Sequence, residues 1–170
     1  HIWTMGCQMN TADSERLASA MEQLGIQESP TLQEADVLVL NSCVVRQGAE
    51  DKVVSTLGLV KPLKVSDPRR IVALMGCMVG PRTEELKARF PYVDAFMRPQ
   101  EYGPLIKMLG ERLGLDAEGC LGPLVPPRPS VSAHIPVIHG CDKFCTFCII
   151  PYRRGRERSR PMEEVVREAE

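Results

Sequence analysis

Cys141, Cys145 and Cys148 stand in the run GCDKFCTFCIIPYRRG, at a C-x3-C-x2-C spacing. Three thiolates at that spacing can grip a cubane 4Fe-4S cluster. Each of its four irons wants a ligand, so three cysteines leave one iron open to a substrate. Zinc is the alternative. Zinc sites favour paired C-x2-C knuckles and a closed fourth position, and this run holds one C-x2-C pair. His139 could complete a Cys3His set, but it lies only two residues before Cys141, which is awkward for tetrahedral closure. The spacing points to an iron–sulfur cluster.

The elements that would position such a group are legible as apolar periodicity. Residues 1–5 read as a strand and 11–24 as a helix, capped by Asp13 or Ser14 and stopped at Gly25. DVLVLN (36–41) and RIVALM (70–75) read as buried strands, with a shorter strand at 93–97. Helices are expected at 48–60, 82–90 and 102–113. This alternation predicts an α/β fold, a mostly parallel sheet flanked by helices. Cys7, Cys43 and Cys77 follow the first three strands, so all three belong at the carboxyl end of the sheet, where βα loops gather ligands. Gly6 and Gly76, each just before one of these cysteines, allow close backbone approach. The threefold placement suggests a second iron–sulfur cluster, against the alternative of three ordinary buried thiols. The Pro- and Gly-rich stretch 119–130 reads as a linker between an N-terminal domain, 1–118, and a second unit, 131–170, which opens with a strand at 133–138. Cys120 is then a linker thiol without an assigned role.

Composition narrows the class. The chain has 170 residues, 44% of them hydrophobic, and a net charge of −1, so any contact with nucleic acid must be local. Its seven cysteines fit reduced thiolates holding metal better than a secreted disulfide frame. No run of eighteen apolar residues and no signal-like N-terminus is visible, so the expected compartment is the cytoplasm, with no membrane partner. The absence of an initiating Met and the ending Arg167-Glu168-Ala169-Glu170 suggest a piece of something longer.

The segments TMGCQMNTADSE, NSCVVRQGAEDKV and GCM, followed by GCDKFCTFCIIPYRRGRERSRP, resemble the methylthiotransferases of the radical S-adenosylmethionine superfamily. Six cysteines agree in order and context, with Asn10, Asp13, Ser14 and Glu15 after the first and Arg46, Ala49 and Lys52 after the second. The resemblance covers that family's N-terminal domain and the truncated start of its radical barrel. It implies two 4Fe-4S clusters: an auxiliary one on Cys7, Cys43 and Cys77, and a radical-generating one on Cys141, Cys145 and Cys148. It also implies S-adenosyl-L-methionine as cofactor, with Phe147 near its adenine. Two departures stand out: GCMVG where the family more often has GCMAQ, and Met5 where an aromatic is common. The remaining chain is too short for the family's barrel and RNA-binding domain, so turnover by this piece alone is not expected.

The resemblance also bears on the substrate. Family members acting on isopentenyl-adenosine beside the tRNA anticodon tend to read C-x-x-PY-x-RG, as Cys148 to Gly155 does. It therefore implies addition of a methylthio group to carbon 2 of that base, with the tRNA anticodon stem-loop, a reductant and a sulfur donor protein as partners. Arg153, Arg154 and Arg156 are then candidates for RNA contacts, or for pairing with a nearby carboxylate. Two sibling readings change the substrate to threonylcarbamoyl-adenosine tRNA or an aspartate of ribosomal protein S12. A different class is a non-catalytic iron–sulfur or electron-transfer module.

Overall fold

A computed structural model describes residues 1–45, 47–115 and 132–170. The expected linker at 119–130, with Cys120, lies outside the described residues, as does Arg46. Strands β1 (Ile2–Thr4), β2 (Val37–Ser42), β3 (Ile71–Gly76) and β4 (Ala95–Met97) form one sheet in that order, with every pair parallel. The central strands β2 and β3 are continuous apolar runs because both of their faces are covered. Helices α1 (Gln8–Gln23) and α4 (Gly103–Leu113) cover one face, where Leu17, Met21, Leu105 and Ile106 pack on Val39, Ala73, Met75 and Met97. Helices α2 (Gln47–Ser66) and α3 (Glu84–Arg89) lie on the side of Leu38, Leu40, Val72 and Leu74, which Val53, Leu57, Val60 and Phe90 close. After α1 the chain returns along the outer edge of β1, where the Ser29 carbonyl meets His1 Nδ1 at 2.9 Å. The α/β expectation and the parallel sheet hold.

Three boundaries differ from expectation. Helix α1 starts at Gln8, directly after Cys7, so Asp13 and Ser14 do not cap it but lie buried within it. Helix α2 does not end at Val60. It continues through Pro62 to Ser66, because Leu63 still packs on the core and Lys64 is tied to Asp94 at 2.8 Å. The strand expected at 133–138 shrinks to β5 (Ile138–His139), which pairs antiparallel with β6 (Arg158–Ser159). Between them lies the short helix α5 (Ile150–Arg154), and α6 (Met162–Ala169) follows.

Candidate metal centre at the strand ends

Every sheet strand runs the same way, so the loops after β1, β2 and β3 bring Cys7, Cys43 and Cys77 to one edge. A buried amide and hydroxyl lattice joins these loops. Asn10, wholly buried in the first turn of α1, donates from Nδ2 to Asn41 Oδ1 and to the Ser42 carbonyl, both at 3.0 Å. Its Oδ1 faces the Cys7 amide at 3.4 Å. Asn41 Nδ2 answers with 2.8 Å bonds to the Asn10 carbonyl and Ser14 Oγ. Ser42 carries the lattice to the third loop: its carbonyl accepts from the Cys77 amide at 2.8 Å and its hydroxyl donates to the Met75 carbonyl at 2.7 Å. Such polar groups are tolerated inside because each finds a partner.

The two glycines show why no side chain fits there. Gly6 packs against the Asn10 side chain, and Gly76, at φ 101°, leaves no room for a Cβ between Asn41 and the Ser42 backbone. Cys43 and Cys77 are buried and Cys7 is exposed. Cys43 and Cys77 are near enough to feel each other's charge. Burial pushes the Cys77 thiol above its ordinary pKa, and the neighbouring Arg154 guanidinium only partly opposes this.

Arg154, a candidate for an RNA contact or a carboxylate pair, is interior. Its side chain is 5% exposed and its Nη2 donates to Asp13 Oδ2 at 3.0 Å, with Asp13 only 1% exposed. Burial raises the Asp13 pKa, with Arg154 and Arg16 opposing. Asp13 and Cys77 more than offset the effect of burial on Arg154, keeping its pKa above the ordinary arginine value. The segment that carries the second cysteine group thus reaches into the first. One further ion pair docks it, Arg16 to Glu168 at 2.6 Å, and Arg160 of the same segment holds that Glu168 at 2.5 Å.

Cys141, Cys145 and Cys148 lie on the turn between β5 and α5, where the Cys148 amide bonds the Cys145 carbonyl at 2.9 Å. Cys145 is exposed and the other two are half-buried. Phe147 is 91% exposed, which excludes a core role for it. Phe144 meets Tyr152 edge to face with centroids 6.0 Å apart, and Arg156 lies over the Phe144 ring at 5.6 Å while its Nε pairs with Asp142 at 2.8 Å. Arg153 and Arg156 sit on α5 and the turn after it, Arg156 with a 75% exposed side chain.

Among the described residues no three His, Cys, Asp or Glu side chains converge to hold a single metal ion. A cubane cluster asks for something different, because each thiolate binds a separate iron and the ligands stand farther apart than around one ion. Two sets of three soft donors, one beside a buried cation that favours thiolate charge, suit such a group chemically.

His139 was weighed as a fourth ligand and instead faces inward, its Nδ1 hydrogen-bonded to Gln100. Burial, then the field of Arg16, Arg160, Arg154 and Arg158, lowers its pKa from 6.5 to about 4. The native state therefore binds fewer protons than the unfolded chain between pH 6.5 and about 4, and stability should fall as pH drops through that window. Allowing for its partial exposure, the loss is about 1–2 kcal/mol. Urea unfolding at pH 7 and pH 4.5 measures it, and His139→Gln should flatten this part of the pH dependence.

Fold and site together define a parallel α/β domain with thiol loops gathered at its carboxyl edge. The chain belongs to the family described as Uncharacterized protein family UPF0004, whose model matches residues 1–98. It is 42% identical over 99% of its length to the tRNA-2-methylthio-N(6)-dimethylallyladenosine synthase of Dehalococcoides mccartyi strain 195, covering 38% of that protein. It is similarly 41% identical to the synthase of that name from Roseiflexus sp. RS-1, covering 36%, and 40% identical to that of Dictyoglomus thermophilum, covering 41%. The chain thus spans about two fifths of these curated relatives. No helix among the described residues is long and apolar enough to cross a membrane.

Proposed function

We propose that this chain is the thiol-bearing N-terminal part, and the opening of the radical domain, of a methylthiotransferase that modifies carbon 2 of isopentenyl-adenosine beside the tRNA anticodon. Its partners would be the anticodon stem-loop, a reductant and a sulfur donor protein, in the cytoplasm. Cys7, Cys43 and Cys77 would hold one 4Fe-4S cluster; Cys141, Cys145 and Cys148 would hold the other, with S-adenosyl-L-methionine bound beside Phe147. When bound, these groups supply the electron that cleaves S-adenosylmethionine and the place from which sulfur is inserted. The chain's own residues position them. The Asn10–Asn41–Ser42 lattice fixes the spacing of the three strand-end loops, and Arg154 ties the second cysteine turn to them. Phe147 offers an aromatic face open to a planar base. Arg156, exposed and paired among the described residues with Asp142, is available to phosphate. The observation that carries the reading is the gathering of three cysteines at the ends of three adjacent parallel strands, with Arg154 from the other cysteine segment reaching Asp13 and Cys77.

Anaerobic reconstitution tests it. Iron and sulfide should each approach about eight per chain, and Cys7→Ala/Cys43→Ala/Cys77→Ala or Cys141→Ala/Cys145→Ala/Cys148→Ala should each remove about half. Iron content unaffected by either triple substitution would sink the assignment. The substrate is tested separately in the longer protein, by mass spectrometry of tRNA nucleosides from a strain lacking its own enzyme.

A further inference from the structure

We propose that the cavity between the loop after β4 and the turn joining α5 to β6 is a binding site for a phosphate-class oxyanion. The cavity holds about 570 Å³, and its lining includes Arg98, Glu101, Arg153, Arg154, Arg156 and Arg158. Five arginines face one glutamate. Neutralisation inside the cluster is incomplete: Arg98 spends one nitrogen on Glu101 at 3.3 Å, Arg154 spends one on Asp13, and Arg156 pairs with Asp142. Arg153 and Arg158 meet no carboxylate among the described residues.

The second observation is the set of donors left over. Among the described residues Arg98 Nε, Arg153 Nε and Arg154 Nη1 are buried without a hydrogen-bond partner, while the Arg154 guanidinium, whose side chain is 95% removed from solvent, also lies against Cys77. Buried guanidinium donors left unpaired are costly in a protein interior. Arg98 and Arg153 thus carry charge that no described acceptor answers at those nitrogens, and an anion in the cavity they line would offset it. The donors come from separate elements: Arg98 after β4, Arg153 and Arg154 on α5, Arg158 on β6. A tetrahedral oxyanion presents oxygens in several directions and can answer such a set, whereas a planar carboxylate accepts mainly within one plane.

The backbone is arranged for the purpose. Gln100 holds a left-handed conformation, φ 68°, unusual for a residue with a side chain. Its side chain is anchored to His139 and to Asp13, so the loop is pinned with Arg98 and Glu101 on the cavity wall. On the far side, Arg153 packs into the space left by Gly80, where any Cβ would strike its guanidinium. The cavity therefore joins the N-terminal domain and the second cysteine segment across their shared face.

Identifying the bound phosphate as an RNA phosphodiester rests on the proposed function; the pocket does not. Isothermal titration of the 170-residue chain uses two probes, inorganic phosphate and a short RNA hairpin. Arg158→Gln and Arg98→Gln, whose fold is checked by circular dichroism, should each weaken phosphate binding about tenfold or more. If the phosphate comes from RNA, each should also lower the salt slope of hairpin binding by about one. Phosphate binding lost in the variants, with no hairpin binding at all, would support the pocket as a free-anion site and count against the RNA reading. Hairpin binding with an unchanged affinity and salt slope in both variants, or no binding of either probe by the parent chain, would overturn the pocket.

Discussion

Replacing Asp13 by alanine is expected to release the segment 138–170 from the N-terminal domain. The substitution leaves the Arg154 guanidinium buried beside Cys77 with its counter-charge gone. Breaking a buried ion pair from one side costs about 3–5 kcal/mol, mostly the penalty of the stranded charge. The chain can avoid this by withdrawing Arg154 into water, since the polar contacts left to dock the segment include the Arg16–Glu168 ion pair and the contact between Gln100 and His139. Hydrogen exchange should then show protection falling in α5, β5 and β6 while β2 and β3 keep theirs. Asp13→Asn, which retains acceptors without the charge, should give a smaller loss. Unchanged exchange in the 138–160 region of the alanine variant would show that the pair does not hold the segment.

The second large effect belongs to Gly76. Alanine there must adopt φ near 101° and place a Cβ against the Ser42 carbonyl and the Asn41 amide, neither of which can yield without disturbing the lattice. The left-handed backbone costs about 1–2 kcal/mol and the overpacking about 1–3 more. Urea denaturation should register a loss of about 2–5 kcal/mol. Gly25→Ala is the control, because Gly25 also has a positive φ, 76°, but among the described residues nothing lies within 4 Å of its Cβ position. It should lose only the backbone part. Equal losses at the two positions would mean that close packing at the Cys77 loop is not what constrains Gly76.

The strands were legible because β2 and β3 are short runs of Val, Leu, Ile and Met between polar turns, the pattern of a strand buried on both faces. The shared edge of Cys7, Cys43 and Cys77 followed from their place after each strand and from the parallel order. What packs against the cysteines was not legible. Asp13 and Ser14 read as helix-start chemistry, because short polar side chains usually serve caps; here both are buried within α1, bonded to Arg154 and Asn41 far along the chain. Arg154 sits in an arginine-rich run that looks solvated by composition, and only the fold shows one member turning inward. The Gln100 backbone left no mark at all, since glutamine carries no preference for a left-handed turn.

The partners in the Asp13–Arg154 pair are 141 positions apart, and this separation has a consequence for synthesis. A ribosome delivers the four sheet strands, complete by Met97, well before it delivers α5. Domains tend to fold as they emerge, N-terminal part first. A nascent domain in that interval would carry Asp13 without its cation. Arrival of Arg154 would then complete the pair. The late segment would seat itself on a surface already shaped and charged to receive it, a template that the first hundred residues provide for the next seventy.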